Sequence, residues 1–128
     1  MSITSRLARA AAATAVAGAA LLAPLAAAPA AQAAPAGCNA GGLCVYWSAN
    51  YVGTVQTVYQ DNDDLSQYVN FNNTSGGSAF NNGNSCNVVV FAQKNAAGFG
   101  WTIYRGTGWT LIGQGLPGQI LSNRWCTV

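Results

Sequence analysis

The chain has 128 residues, with five basic and three acidic side chains and a formal charge of +2. It contains no histidine and no glutamate, which excludes a Ser-His-Asp triad, a Cys-His dyad, a histidine-bearing zinc site and a glutamate acid/base pair. The few cations are scattered and form no basic patch, so nucleic acid is not an expected partner.

The first element in chain order is a candidate export signal. Arg6 and Arg9 precede an apolar run from Ala10 to Ala28, and Ala31, Gln32 and Ala33 fit the small-x-small rule for signal peptidase. Cleavage is expected after Ala33, which makes residues 1–33 a secretory signal peptide and 34–128 one secreted, extracellular domain. Pro24 and Pro29 interrupt the run, and its strongly apolar part is short for a bilayer span, so no stable membrane anchor is expected. After cleavage Lys94, Arg105 and Arg124 face Asp61, Asp63 and Asp64, and the domain is formally neutral.

All four cysteines, Cys38, Cys44, Cys86 and Cys126, follow the signal. An even count in an exported domain of this size reads as two disulfides, for which three pairings are possible. Cys44–Trp47, Val55–Tyr59, Val88–Phe91 and Trp101–Tyr104 are short, β-branched or aromatic runs bounded by Gly and Asn, and are predicted strands. Between them, Asp64–Tyr68 is the one candidate for a helical turn, with an aspartate as its cap. Asn70–Gly77 and Asn81–Ser85 read as polar loops, the first long enough to be mobile. A catalytic carboxylate pair drawn from Asp61, Asp63 and Asp64 is the acid/base option that composition leaves open. Crowded into one polar segment, they read as a solvated turn, and no enzyme activity is expected.

At an offset of 45 residues the two halves align without a gap. Val45 falls on Val90, Tyr46 on Phe91, Asn50 on Asn95, Gly53 on Gly98, Thr57 on Thr102 and Tyr59 on Tyr104, and further on Phe71 on Leu116 and Phe80 on Trp125. Two related units, about 42–83 and 87–128, are expected. Neither could bury its apolar face alone, so the expected fold is all-β with two packed sheets, monomeric by default.

The pattern Tyr46, four residues, Tyr51, one residue, Gly53 resembles the corner signature of the β/γ-crystallin Greek key. Its physical basis is a hairpin folded back over its sheet, which needs glycine where φ is positive and an aromatic ring packed on the corner. Phe91, Ala96 and Gly98 repeat the spacing, with alanine for the second aromatic. Together with the export signal, the stretch from Cys38 through Tyr59 resembles the opening of the secreted peptidase inhibitor family I36, whose members include metalloproteinase inhibitors. The closing stretch from Leu116 to Trp125, read as a strand, also fits. The resemblance implies a disulfide-stapled, two-motif Greek-key sandwich of β/γ-crystallin type, with disulfides Cys38–Cys44 and Cys86–Cys126.

The same resemblance implies an extracellular protease as partner, of the thermolysin-like metalloproteinase type, bound at its active site through a rigid loop. Lys94–Trp101 holds none of the cysteines that frame this loop in characterised members, so no reactive residue carries over by motif. Thermolysin-like proteases prefer a bulky apolar residue on the leaving side of the cut, and Phe99 after Gly98 supplies one at a corner. Gly98, Phe99 and Trp101 are therefore the candidate inhibitory loop. The alternation Phe99, Trp101, Ile103 equally suits rings that cover a sheet.

Other readings have weaker residue support. A crystallin-type calcium site would use Asn72 and Asn73, but the serine positions hold Gly76 and Gly77, and the second unit has Pro117, Gly118 and Leu121 before Ser122, so no metal or other cofactor is expected. An antimicrobial, killer-toxin-like or surface-binding module is the alternative role. It would draw on Trp47, Trp101, Trp109 and Trp125, residues that also suit core and edge packing.

Overall fold

The computed structural model describes residues 31–73, 76–113 and 118–128. Among the described residues seven strands form two antiparallel sheets, and no α-helix occurs. The strands are β1 (Leu43–Ser48), β2 (Val52–Val58), β3 (Ser78–Asn81), β4 (Val88–Phe91), β5 (Gly100–Ile103), β6 (Gly108–Trp109) and β7 (Ser122–Trp125). The first sheet has the order β2-β1-β3-β6 and the second β5-β4-β7.

Each half of the chain contributes to the other's sheet. β6 leaves the second half to pair with β3, with Ala79 opposite Trp109 and Phe80 opposite Gly108. Reciprocally, Asn62 of the first half bridges to Asn123 of β7. The first sheet takes its edge strand from the second half, while the second sheet is built from its own half and only bridged by Asn62, so packing of the halves completes the first sheet.

The core lies between the sheets. Leu43, Val45 and Val58 from the first meet Val88, Val90 and Ile103 from the second, and Leu65, Phe71, Ile112 and Ile120 close the ends. Fully burying such side chains contributes about 1.5–3 kcal/mol each. The loops are held by buried asparagines, whose amides replace the ladder bonds that loop backbone lacks. Asn70 Nδ2 donates to Val45 O at 2.8 Å and Thr54 O at 2.7 Å. Asn81 Nδ2 donates across the halves to Ile103 O at 2.9 Å, while its Oδ1 accepts the Gly83 N–H at 2.8 Å.

Two disulfides staple the domain: Cys38–Cys44 ties the N-terminal arm to β1, and Cys86–Cys126 joins the entry of β4 to the exit of β7. The arm also accepts a hydrogen bond from Tyr46 Oη at Ala36 O, 2.7 Å. Gln32 N–H donates to Gly106 O at 2.6 Å. No described helix is long and apolar enough to cross a membrane. Residues 1–30, the body of the expected signal, lie outside the described residues, as does Leu116.

Several sequence expectations need correcting. Among the described residues of the expected closing stretch, the strand is Ser122–Trp125, because Ile120 and Leu121 pair as single backbone contacts with Phe71 O and Phe91 O rather than as a ladder. Asn81 belongs to β3 and is fully buried, where its amide links two sheets. Asp64–Tyr68, by contrast, forms the expected short turn with its aspartate cap: Asp64 Oδ1 accepts the Ser66 N–H at 2.9 Å, and Tyr68 N–H reaches Leu65 O at 3.0 Å, with no regular helix beyond it. β2 and β5 stop one residue earlier than expected, at Val58 and Ile103, leaving Tyr59 and Tyr104 exposed. Within the expected polar loop 70–77, the described residues 70–73 turn inward, with Asn70, Phe71 and Asn73 buried.

Candidate functional site

The corner between β4 and β5 is built from backbone upward. A short 3-10 turn, Lys94–Ala96, sits where the chain reverses, and Asn95, Ala96 and Gly98 all have positive φ, at 61°, 53° and 79°. Asparagine tolerates the left-handed region and glycine enters it freely, whereas alanine there is strained and must be held by its surroundings. The restraint is Ser122, which pairs with Phe91 at the start of β7. Its Oγ accepts the Ala96 N–H at 2.9 Å and donates to Gln93 O at 2.5 Å. Asn95 N–H donates to Asp63 O of the other half at 2.8 Å.

The corner between β1 and β2 has the same construction. Asn50, Tyr51 and Gly53 have φ of 59°, 59° and 90°. Ser78 Oγ accepts the Tyr51 N–H at 2.8 Å and donates to Ser48 O at 2.7 Å, and Asn50 N–H donates to Thr110 O of the other half at 2.8 Å. The two serines were not singled out by sequence comparison. They stand 44 residues apart, so the ungapped offset of 45 places Ser78 on Asn123 and hides the pair.

The corners differ in what fills them. Tyr51 packs edge-on against Tyr46 and Phe80, with ring centroids 5.7 and 5.8 Å away. Burial pushes both tyrosine hydroxyls above their ordinary pKa, and at Tyr51 the neighbouring Tyr46 adds to the effect. Ala96 offers no such plug. Instead the second corner is braced at its surface, where Lys94 Nζ lies 3.3 Å from Asp64 Oδ2. Asp64 is held below its ordinary pKa of 3.8 by hydrogen bonds from the Ser66 hydroxyl and backbone N–H, and by Lys94.

From this corner Phe99 projects into solvent with 72% of its surface exposed. It does not stand alone: its ring meets Trp101 edge-on at 4.9 Å, and Trp101 packs against the core opposite Val90. Gly98, Phe99 and Trp101 are therefore adjacent, the glycine at the bend, the phenylalanine at the tip and the tryptophan as its footing. Tyr46, Tyr51, Gly53 and Phe91 lie in or beside the two corners.

The three aspartates act as fasteners between the halves. Asp63 pairs with Arg124, Asp64 with Lys94, and Asp61 Oδ1 accepts the Trp125 N–H at 2.8 Å. Of the amides considered for calcium, Asn72 Nδ2 donates to Leu65 O and Tyr68 O, and Asn73 Nδ2 to Trp47 O at 2.5 Å. No cluster of three or more metal-ligating acids or cysteines occurs among the described residues. The four tryptophans are dispersed: Trp101, Trp109 and Trp125 pack on the core, Trp47 is half exposed, and no two of their rings pair.

A model of the Peptidase inhibitor family I36 matches residues 31–103, more than half of the chain and inclusive of the second corner. No curated protein sequence matches. Among solved structures, IPSE alpha-1, an IgE-binding crystallin, superposes with a TM-score of 0.56 at 19% identity, over 72% of this chain and 88% of that one. IPSE/alpha-1 from Schistosoma mansoni eggs gives 0.52 at 18%, over 66% and 84%. The N-terminal domain of protein S gives 0.50 at 15%, over 68% and 97%. At these identities the likeness is one of fold, and the fold is crystallin-like.

Proposed function

The chain belongs to peptidase inhibitor family I36, and from that premise we propose that it blocks thermolysin-like metalloproteinases by presenting the Gly98–Phe99 corner as a substrate held in a poor geometry for cleavage. It is a peptidase inhibitor and not an enzyme. What supports the loop assignment is one observation: Phe99 is the most exposed large apolar side chain of the described residues, on a corner whose base is fixed by Ser122.

The mechanism follows from rigidity. Phe99 would enter the apolar pocket on the leaving side of the cut, with Gly98 supplying the carbonyl. The positive φ of Gly98 holds that carbonyl off the extended path of a substrate, so attack needs a distortion that the corner resists. Because the corner is already ordered, little conformational entropy is lost on binding. The Ser122 clamp, the Asn95–Asp63 bond and the Phe99–Trp101 contact stand in for a disulfide frame.

We further propose that residues 1–33 direct export and are removed, that the protein is extracellular and monomeric, and that its halves are two related Greek-key units. The family and the two disulfides support an extracellular protein. The matching corners support the kinship of the halves.

Titration of a thermolysin-like protease with the protein tests the activity. The expected result is inhibition that saturates near one inhibitor per enzyme and weakens about tenfold or more in Phe99→Ala, the loss of one buried aromatic anchor. An equally potent Phe99→Ala would move the site elsewhere on the molecule.

A further inference from the structure

A groove of about 410 Å³ lies away from the Gly98 corner. Tyr59 and Trp125 are among its walls, with the loop around Asn84 and the Cys86–Cys126 disulfide. The β4 pairings separate the two places: Val88 is opposite Trp125, whereas Phe91 is opposite Gly100. Three residues of strand span about 10 Å. We propose that this groove binds a neutral oligosaccharide.

The walls are complementary to a sugar ring. Tyr59 is 54% exposed, and its hydroxyl accepts a hydrogen bond from Asn39 Nδ2 at 3.3 Å, which orients the ring. An aromatic face of this kind matches the C–H face of a pyranose. Trp125 lies close over Gly83, where a Cβ would come within 2.7 Å of the indole, so only glycine leaves the wall in place. The indole N–H is buried without a partner among the described residues, so the ring and not its N–H forms the wall.

The polar groups are also uncommitted. The side-chain amides of Gln60 and Asn84 make no hydrogen bond among the described residues, and Asp61 uses one carboxylate oxygen on the Trp125 N–H and leaves the other open. Planar amides and a carboxylate supply the paired donors and acceptors that vicinal hydroxyls need. The charge balance selects a neutral ligand: Asp61 disfavours anions, while Arg105, bound to Asn84 O at 3.3 Å, disfavours cations at the rim. Loops and a disulfide line most of the groove, rather than the open edge of a strand, so it does not offer a peptide the backbone pairing of strand addition.

The test uses protein purified from a host expressing the full chain and follows tryptophan fluorescence during titration with chitotriose, cellotriose or xylotriose. A saturable change with at least one sugar is expected. It should weaken about tenfold in Tyr59→Ala and in Asn84→Ala, both exposed positions whose variants should keep the wild-type melting temperature. Phe99→Ala should bind sugar as wild type does, and sugar should leave protease inhibition unchanged, which separates this inference from the inhibitor reading. No saturable change with any of the three sugars, or binding indifferent to both groove substitutions, would overturn it.

Discussion

Ser122 and Ser78 occupy equivalent places in the two corners: each hydroxyl accepts the N–H of a residue at positive φ and donates to the carbonyl three positions before it. Each serine begins the last strand of its half, so the clamp forms only when that strand docks.

Removing the second clamp should therefore loosen the corner. Ser122→Ala leaves the Ala96 N–H and Gln93 carbonyl without their partner, at a cost of about 1–3 kcal/mol. Urea denaturation checks the stability. Incubation with protease checks the loop, where faster cleavage than in wild type is expected.

Gly98→Ala should be destabilising by about 1–2 kcal/mol, because φ of 79° is a left-handed conformation that an L-side chain resists. The added Cβ would also lie 3.2 Å from Gln93 Nε2. Thermal unfolding of the variant beside wild type measures this, and an unchanged melting temperature would contradict it.

The disulfides should contribute unequally. Cys86–Cys126 spans 40 residues and Cys38–Cys44 spans 6, which in the chain-entropy model corresponds to about 4 and about 2.4 kcal/mol. Denaturant titration of the two Cys→Ala double variants should show the larger loss for the long loop.

Acid should release the corner through Asp64. Its pKa is lower in the folded protein than its ordinary 3.8, so its contribution is present above that value and is lost as pH falls through the lower folded value. Protonation removes the acceptor for Ser66 and the partner of Lys94. The stability of Asp64→Asn should fall less steeply than wild type below pH 3.8, measured by urea midpoints across that range.

Four of the seven strands were legible because Val, Ile, Tyr and Trp runs declare themselves: β1, β2, β4 and β5 coincide with the expected segments to within a few residues. β7 (SNRW) lies inside the closing stretch that the family resemblance marked as a strand, whereas β3 and β6 read SAFN and GW, with little intrinsic strand preference, and exist because neighbouring strands supply their partners. The assignment of Phe99 rests on the family resemblance, whereas the bend at Gly98 was legible from glycine spacing. Its restraints were not, since the Ser122 clamp is shifted by one residue between halves and the Asp63 carbonyl is a backbone contact made by tertiary folding.

Gly98–Phe99 is the bond we propose is offered to the protease. Prolonged incubation of the protein with a thermolysin-like enzyme, followed by mass spectrometry of the products, reads this directly. Slow cleavage at the single bond between Gly98 and Phe99 is the predicted result, with enzyme activity returning at the same rate. First cleavage at any other bond while the enzyme is inhibited would contradict it.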